Sequence, residues 1–594
     1  MPNAVPGADR QSDQPTSFQR RDPVGLHPIA WDFLACTCFV LIAIWLTSGL
    51  WGNPDSKFLT HNPGDQILHE WFLAYETGIW SGDFNIVTDR LNAPEGVNLL
   101  TNTPIIALGV LLAPITATFG GPTAFAAVVS LNLAATAIAW YLLFKRSLGA
   151  TSFAATVGAT FCGFAPAMIS QSNSHPGLTA HFLIPPMIWS VTKLAQAAMQ
   201  RPVPVKKMVG AGVLFGVLTA LQIFVGEEIM FLTALTLTVV TLAYVALTRP
   251  SGREIVAFGA GLGIAVIVAA CLLAYPLWLQ FAGPQSLSGG LYSPQHYSAD
   301  LASFTAFSPL SIAGSESSAV LSANAAEYNT FLGWPLVLLT LGLAIWLRRD
   351  PLAHACVFAL GVMYAFSLGP EVVINGDRTA VFGPFKLLSF LPLIDLALPM
   401  RFALAGIPLT AVLLVLGLER AAALRKPIVP LLVAVALLPL IPNRLPTTER
   451  SAVPRFYAEG HWRQCASRGE VIVPVPLPTP AYPEPMRYAT RALAQFAIPQ
   501  GYFIGPYGPD GAGALGPPPR STSALLDTVA QTGKVPDIDD TVRAEARRDI
   551  SFWKGKCLVL TAHPRFDQLR DTLNLLYGPA TQVADASVWS VTDD

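Results

Sequence analysis

The sequence predicts a polytopic α-helical membrane protein of about 11–12 spans that ends in a C-terminal extracytoplasmic α/β domain. Three observations predict it. Of the 594 residues 52% are apolar and only 13% are charged, with a mean hydropathy of +0.48. The apolar residues come in blocks, among them 31–50, 123–144, 255–275 and 402–418, each about as long as a helix needs to cross a hydrocarbon core of roughly 30 Å. From about Asn443 onward the composition changes, and Arg, Asp, Glu and Pro return as in a soluble protein.

The first block reads as a retained span. The polar stretch 1–28 precedes it and no small-residue cleavage site follows, so it is not a signal peptide. Lys and Arg then collect in short loops: Lys145 and Arg146; Lys193, Arg201, Lys206 and Lys207; Arg249 and Arg253; Arg348 and Arg349; Arg420, Arg425 and Lys426. The positive-inside rule puts these loops in the cytoplasm and the segments 51–103, 171–180, 276–328 and 370–400 outside. With the N-terminus inside, spans fall at 31–50, 123–144, 152–170, 181–198, 208–226, 229–247, 254–275, 329–347, 352–369, 402–419 and 427–442. This set of crossings leaves the C-terminus outside. The apolar stretch 104–120, interrupted by Pro114, would turn every later basic loop outward if it crossed, so it is expected to be re-entrant or interfacial. The domain organisation expected is a cytoplasmic tail at 1–28, a transmembrane domain at 29–443 with its first outer loop at 51–103, and an extracytoplasmic α/β domain at 444–594.

In that last domain Glu470–Val475 and Cys557–Thr561 read as short buried strands, Phe566–Tyr577 as an amphipathic helix and Ala586–Val591 as a final strand. The Gly- and Pro-rich stretch Gly501–Pro519 reads as an ordered loop. Cys465 and Cys557 are its two cysteines, one shortly before the first strand and the other opening the second. In an oxidising compartment they are expected to form a disulfide. The cysteines nearer the N-terminus lie in or beside apolar spans and read as small hydrophobes.

Several function classes fall away. A net charge of −1 and the lack of a basic stripe argue against nucleic acid as a partner. There is no P-loop, His-Glu-x-x-His or Cys-x-x-Cys, and no glycine fingerprint set between a strand and a helix as dinucleotide binding needs. Nor do the spans carry the chain of charged residues that an ion-coupled carrier needs.

Polar chemistry gathers in the outward segments. Asp65 follows Asn62-Pro63-Gly64 at the head of an interfacial helix whose apolar positions are Leu68, Trp71, Phe72, Tyr75 and Ile79. It reads either as a helix N-cap or as a carboxylate able to take a proton from a hydroxyl. Glu70, Asp83 and Asp89 are further carboxylates, the last two read as turn residues. His175 closes the polar run from Ser170, and His181 lies where the next span begins; each is either a ligand or a satisfied histidine. Glu227 and Glu228 interrupt an otherwise apolar run, so one of them, Glu228 being the candidate, is expected to be paired or liganded. Arg378, Lys386 and Arg401 bring positive charge to the outer side, which suits an anionic group such as a phosphate, although Arg401 also reads as an interfacial anchor.

An N-terminal span, a long outer loop with an early carboxylate, many further spans and an outer C-terminal domain together resemble the C-type (GT-C) glycosyltransferases, among them the protein O-mannosyltransferases, aminoarabinose transferases and actinobacterial arabinofuranosyltransferases. The run from Gly64-Asp65 through Trp71 to Asn92-Ala93-Pro94-Glu95-Gly96-Val97-Asn98-Leu99, then Thr103-Pro104 and Phe119-Gly120, carries the resemblance. The stretches Val471–Pro476 and Gly501-Tyr502-Phe503 look like those of bacterial polytopic proteins grouped with that superfamily. The resemblance implies transfer of a sugar from a polyprenyl-phosphate-linked donor to a hydroxyl of an envelope glycan or lipid acceptor, at the outer face of the plasma membrane and among membrane lipids. It implies Asp65 as the catalytic carboxylate, although Gln66 stands where a second acid is common. His175, His181, Glu228, Arg378, Lys386 and Arg401 are the substrate-binding candidates. No cofactor is fixed, a divalent cation stays open, and no metal-ligand set is identified. The rival readings are a non-enzymatic glycolipid or polysaccharide transporter and an envelope-assembly scaffold. Internal repeats would favour the transporter, and none is found.

Overall fold

The computed structural model describes residues 28–388, 390 and 394–591. The tail expected at 1–28 therefore lies, up to residue 27, outside the described residues. Six helical segments among those described are long and apolar enough to cross a membrane: Ile29–Leu46, Gly121–Ser147, Ser152–Gln171, Val205–Thr248, Gly252–Ala282 and Pro399–Ala423. Shorter apolar helices occupy Ile106–Phe119, Trp334–Trp346, Pro351–Ser367 and Ile428–Leu440. Large apolar side chains such as Phe33, Val256, Ile267, Leu338 and Ile345 stand exposed on these helices, the pattern of a surface that faces lipid. The protein is a multi-pass helical membrane protein with a small sheet-containing C-terminal region.

The two spans expected at 208–226 and 229–247 form one helical run, Val205–Thr248, broken at Gly226, where φ is −177° and ψ is 101°. The break has a packing cause. A Cβ on Gly226 would lie 2.2 Å from the carbonyl oxygen of Gly177, so only glycine lets these backbones meet. The segment 104–120 is a helix, Ile106–Phe119, of 14 residues. At 1.5 Å per residue it is about 21 Å long, short of the roughly 30 Å of a hydrocarbon core. It packs against Pro63–Glu76 and turns at Gly120, with φ 87°, directly into Gly121–Ser147.

The main apolar core joins the membrane helices around Phe125, Tyr141, Phe144 and Phe402, all with at most 2% exposure. Small residues set its close contacts, as in other membrane bundles. Gly158, for example, lets Val415 and Phe144 approach so closely that a Cβ there would meet them at 2.5 and 2.9 Å.

The C-terminal sheet has the order Thr581–Val583, Ala586–Ser590, Gly555–Leu560, Val471–Val475, with the last pair parallel and the others antiparallel. Helices Ser521–Thr532, Asp540–Trp553 and Phe566–Tyr577 complete an α/β arrangement. Cys465 and Cys557 form a disulfide with Cα atoms 6.1 Å apart. This region does not stand apart from the first outer loop. Strand Thr447–Glu449 pairs antiparallel with Lys57–Leu59, and Leu91 bridges Ile498. One core unites Ile67, Leu68, Trp71, Phe72 and Leu91 of the loop with Phe456, Trp462, Phe496 and Phe503. At its centre Arg450 forms a two-pronged ion pair with Glu70, at 2.9 and 3.0 Å, with both side chains almost wholly buried. That pair fixes the helix on which Asp65 sits.

Candidate active site

Pro63 opens the helix Pro63–Glu76 in the first-turn position where its missing N–H costs nothing, and Asn62 before it takes a left-handed conformation, with φ 62°. Asp65 is not the N-cap. That place belongs to Asn62, and Asp65 lies within the first turn, where its side chain meets three donors. Asn62 Nδ2 donates to its Oδ2 at 2.5 Å, His175 Nε2 lies 3.1 Å from the same oxygen, and the Tyr502 hydroxyl donates to Oδ1 at 2.6 Å. Gly64 makes room for the tyrosine, since a Cβ there would touch its ring at 3.0 Å. Burial works against ionisation of Asp65, but the hydrogen bonds and the charge of His175, with those from Tyr502 and Asn62, outweigh it and hold the carboxyl down at about 2. The same contact, with burial, pushes the Tyr502 phenol far up, so it stays a donor.

A second layer holds His175. Its Nδ1 lies 2.6 Å from Gln171 Oε1, while Gln171 Nε2 donates to Glu327 Oε2 at 3.0 Å and to Asn329 Oδ1 at 2.8 Å. His175 Nε2 lies near both Asp65 and Asn62 Nδ2, the latter at 3.2 Å. Arg401 closes the group: its Nε donates to Glu327 Oε1 at 2.9 Å, its Nη2 reaches the same oxygen, and its Nη1 donates to Glu228 Oε2 at 2.6 Å. Burial disfavours a charged Glu327, yet the Arg401 charge overcomes it and holds the carboxyl below its usual range. Beside Glu228, Glu227 accepts from Gln280 Nε2 at 2.6 Å. The break at Gly226 is what turns both glutamates inward.

Asp65, His175, Glu228 and Arg401 all line one cavity of about 460 Å³. Leu68, Leu178, Phe231, Phe281 and Leu291 give its wall an apolar share, and Tyr502, Phe503 and Ile504 reach it from the C-terminal region. Three sequence candidates lie elsewhere. His181 is buried and spends its Nε2 on the Leu178 carbonyl at 2.8 Å. Arg378 lies exposed on the hairpin formed by Glu371–Ile374 and Asp377–Phe382, and Lys386 lies near Glu371, at 3.8 Å, and over the Phe382 ring. Neither cation borders the cavity: Arg378 is on the hairpin and Lys386 on the turn Pro384–Leu388 that follows it. Of the further carboxylates, Glu70 pairs with Arg450, and Asp83 forms an ion pair with Arg90 and with Arg468.

Ser170–Ser174 are buried rather than solvated, with Gln171 bonded to Glu327 and Asn329, and Ser170, Ser172 and Asn173 bonded to backbone carbonyls. Asn62, Gln171, Glu327 and Tyr502 were not legible as site residues. The sequence signals were the Asn-Pro-Gly-Asp string for Asn62, the polar run from Ser170 for Gln171 and the Gly-Tyr-Phe string for Tyr502. Asp65 is contacted at both oxygens by Asn62, His175 and Tyr502, and Arg401 engages Glu228 and Glu327. Among the described residues no group of three His, Cys, Asp or Glu side chains is arranged to hold a metal ion.

A family model described as a domain of unknown function (DUF6311) matches residues 35–438. No curated protein matches the chain. Among solved structures, a mutant of the arabinofuranosyltransferase AftD from Mycobacteria aligns with a TM-score of 0.50 at 14% identity, over 95% of this chain and 42% of its own. The archaeal oligosaccharyltransferase AglB from Archaeoglobus fulgidus, in complex with an inhibitory peptide and a dolichol-phosphate, aligns with a TM-score of 0.48 at 12% identity, over 89% of this chain and 69% of its own. ArnT from Cupriavidus metallidurans in the apo state gives 0.45 at 12% identity, over 95% and 98%. The chain thus spans less than half the length of the arabinofuranosyltransferase, and the likeness to it is one of fold. The fold is GT-C-like.

Proposed function

We propose, for a chain that belongs to the DUF6311 family, a membrane glycosyltransferase that moves a sugar from a polyprenyl-phosphate-linked donor to a hydroxyl acceptor at the outer face of the plasma membrane. The observation that carries this reading is the gathering of Asp65, His175, Glu228 and Arg401 on a single cavity whose wall is part apolar and part charged. An apolar wall suits a lipid chain, and the polar end suits a phosphate and a sugar.

In the reaction the acceptor hydroxyl oxygen forms a bond to the anomeric carbon. The bond from that carbon to the phosphate oxygen breaks, and polyprenyl phosphate leaves with the electron pair. Asp65 takes the hydroxyl proton as the new bond forms, when the oxygen becomes acidic. A carboxylate offers about four lone-pair positions, and three donors already face Asp65, so the acceptor uses the vacant side of Oδ1. His175, Asn62 and Tyr502 hold the carboxylate in place and in its ionised form. Arg401 has three of its five N–H groups committed to Glu327 and Glu228, and the remaining two face the leaving phosphate. Inside this scheme the outward C-terminal region supplies Tyr502, and its disulfide suits an oxidising compartment.

The test is a panel of polyprenyl-phosphate-linked pentoses and hexoses, incubated with the protein in bilayer discs and crude envelope acceptor, with released polyprenyl phosphate as the readout. Release with at least one donor is expected. A glycolipid transporter or scaffold would release none from any member of the panel, and that outcome overturns the reading.

A further inference from the structure

His69 lies one helical turn beyond Asp65, and spacing of four residues puts both on the same helix face. Both line the cavity, with Leu68 between them. The His69 ring is 5% exposed and stands edge-on to Phe72, with ring centroids 5.9 Å apart. Its Nδ1 is sealed from solvent with no hydrogen-bond partner, and among the described residues Nε2 has none either. The other acidic and basic side chains of the wall are engaged: Asp65 by three donors, His175 by Asp65 and Gln171, Glu227 by Gln280, and Glu228 by Arg401.

A buried polar ring without a partner is costly to keep. Burial, helped by the charge of His175 and opposed by that of Asp65, pushes the imidazole down to about 4. The ring is therefore neutral under working conditions, with one nitrogen donating and the other accepting. Nδ1 is sealed and the residue borders the cavity, so Nε2 is the ring nitrogen left to meet a ligand there. A proton on Nε2 leaves only a lone pair orphaned inside. A neutral N–H beside a carboxylate is a poor match for a phosphate, which favours cations, and a good match for a hydroxyl.

We propose that His69 is a substrate contact, donating its Nε2–H to a hydroxyl of the donor sugar held beside Asp65, and so helping to decide which sugar the site accepts. This inference rests on the glycosyltransferase reading above. It is tested with the donor that the wild-type protein turns over, by comparing His69→Phe, His69→Gln and Asp65→Asn for kcat, KM and melting temperature. His69→Phe keeps ring volume beside Phe72 but loses the donor, so kcat/KM falls about 10-fold, the scale of one hydrogen bond. The loss appears mainly in KM, as for a contact made equally in ground and transition states. His69→Gln restores an N–H of similar reach and regains most of the activity, at an unchanged melting temperature. A merely structural histidine gives the reverse order, with Phe tolerated and Gln lowering the melting temperature, and that result overturns the proposal. Wild-type kinetics in both His69 variants, with Asp65→Asn inactive, overturns the proposal alone. Full activity in Asp65→Asn, or no turnover from any donor, overturns the parent reading and the role of His69 with it.

Discussion

Asp65→Asn is expected to slow sugar transfer by about a hundred- to ten-thousand-fold, the range over which a positioned general base contributes, while the amount of folded protein in the membrane stays near that of the wild type. The substitution keeps size and removes the base. An asparagine oxygen can still accept from Asn62 and His175, and its NH₂ would then face Tyr502, whose hydroxyl can turn to accept. The loss is therefore chemical rather than structural. It is measured as released polyprenyl phosphate per molecule of folded protein, and a rate near that of the wild type removes Asp65 from the mechanism. The pH dependence follows from the sign of the shift. Asp65 is held at about 2 in the folded protein, against roughly 3.9 in an unfolded chain. Its contribution to stability is present above that unfolded value and is lost as pH falls towards 2. Between pH 5 and 8 it stays ionised, so any acid limb in that window belongs to another group.

Arg450→Met is expected to destabilise the protein by about 3–5 kcal/mol, the cost of leaving one partner of a buried ion pair without the other. Glu70 is fully buried and loses both prongs of the guanidinium, keeping only the 2.7 Å bond from Gln66 Nε2. Arg450 also ties the carbonyls of Pro54 and Asp55, so the strand pairing of Lys57–Leu59 with Thr447–Glu449 loosens with it. A lowered melting temperature in detergent, partly recovered in the Glu70→Gln/Arg450→Met double variant, is the expected pattern. An unchanged melting temperature in the single variant would mean that the outer loop and the C-terminal region are held together by their shared apolar core alone.

How far the sequence could be read depended on the range of the signal. Helices such as Gly121–Ser147 and Gly252–Ala282 stand where their apolar blocks predicted, because length and hydropathy are local properties. The disulfide followed from two cysteines, a composition break and a compartment argument. The coupling of the outer loop to the C-terminal region was not legible, because the contacts that make it, such as Arg450 with Glu70 and Tyr502 with Asp65, join residues hundreds of positions apart. The same limit explains the site. Asp65 could be named from its place at the head of an interfacial helix, His175 from the polar run it closes, Glu228 from interrupting an apolar run and Arg401 from positive charge on the outer side. Glu327 could not, since it ends a long polar loop where one more acid attracts no notice. Charge alone misdirected the reading of Arg378 and Lys386, because a cation on the surface and one on a cavity wall look the same in sequence. His181 misdirected it for a different reason: a histidine at the start of an apolar run can satisfy itself on a backbone carbonyl three residues back.

The central claim is that the cavity bordered by Asp65 and Arg401 receives the phosphate end of a lipid-linked sugar. The most direct measurement is a cryo-electron microscopy structure of the full chain in bilayer discs with undecaprenyl phosphate added. The account predicts phosphate density inside that cavity, within hydrogen-bond reach of the Arg401 guanidinium and on the side of it that faces Asp65, with the lipid chain along Leu178, Phe231 and Phe281. Lipid density bound elsewhere on the protein, with the cavity holding only solvent, would contradict it.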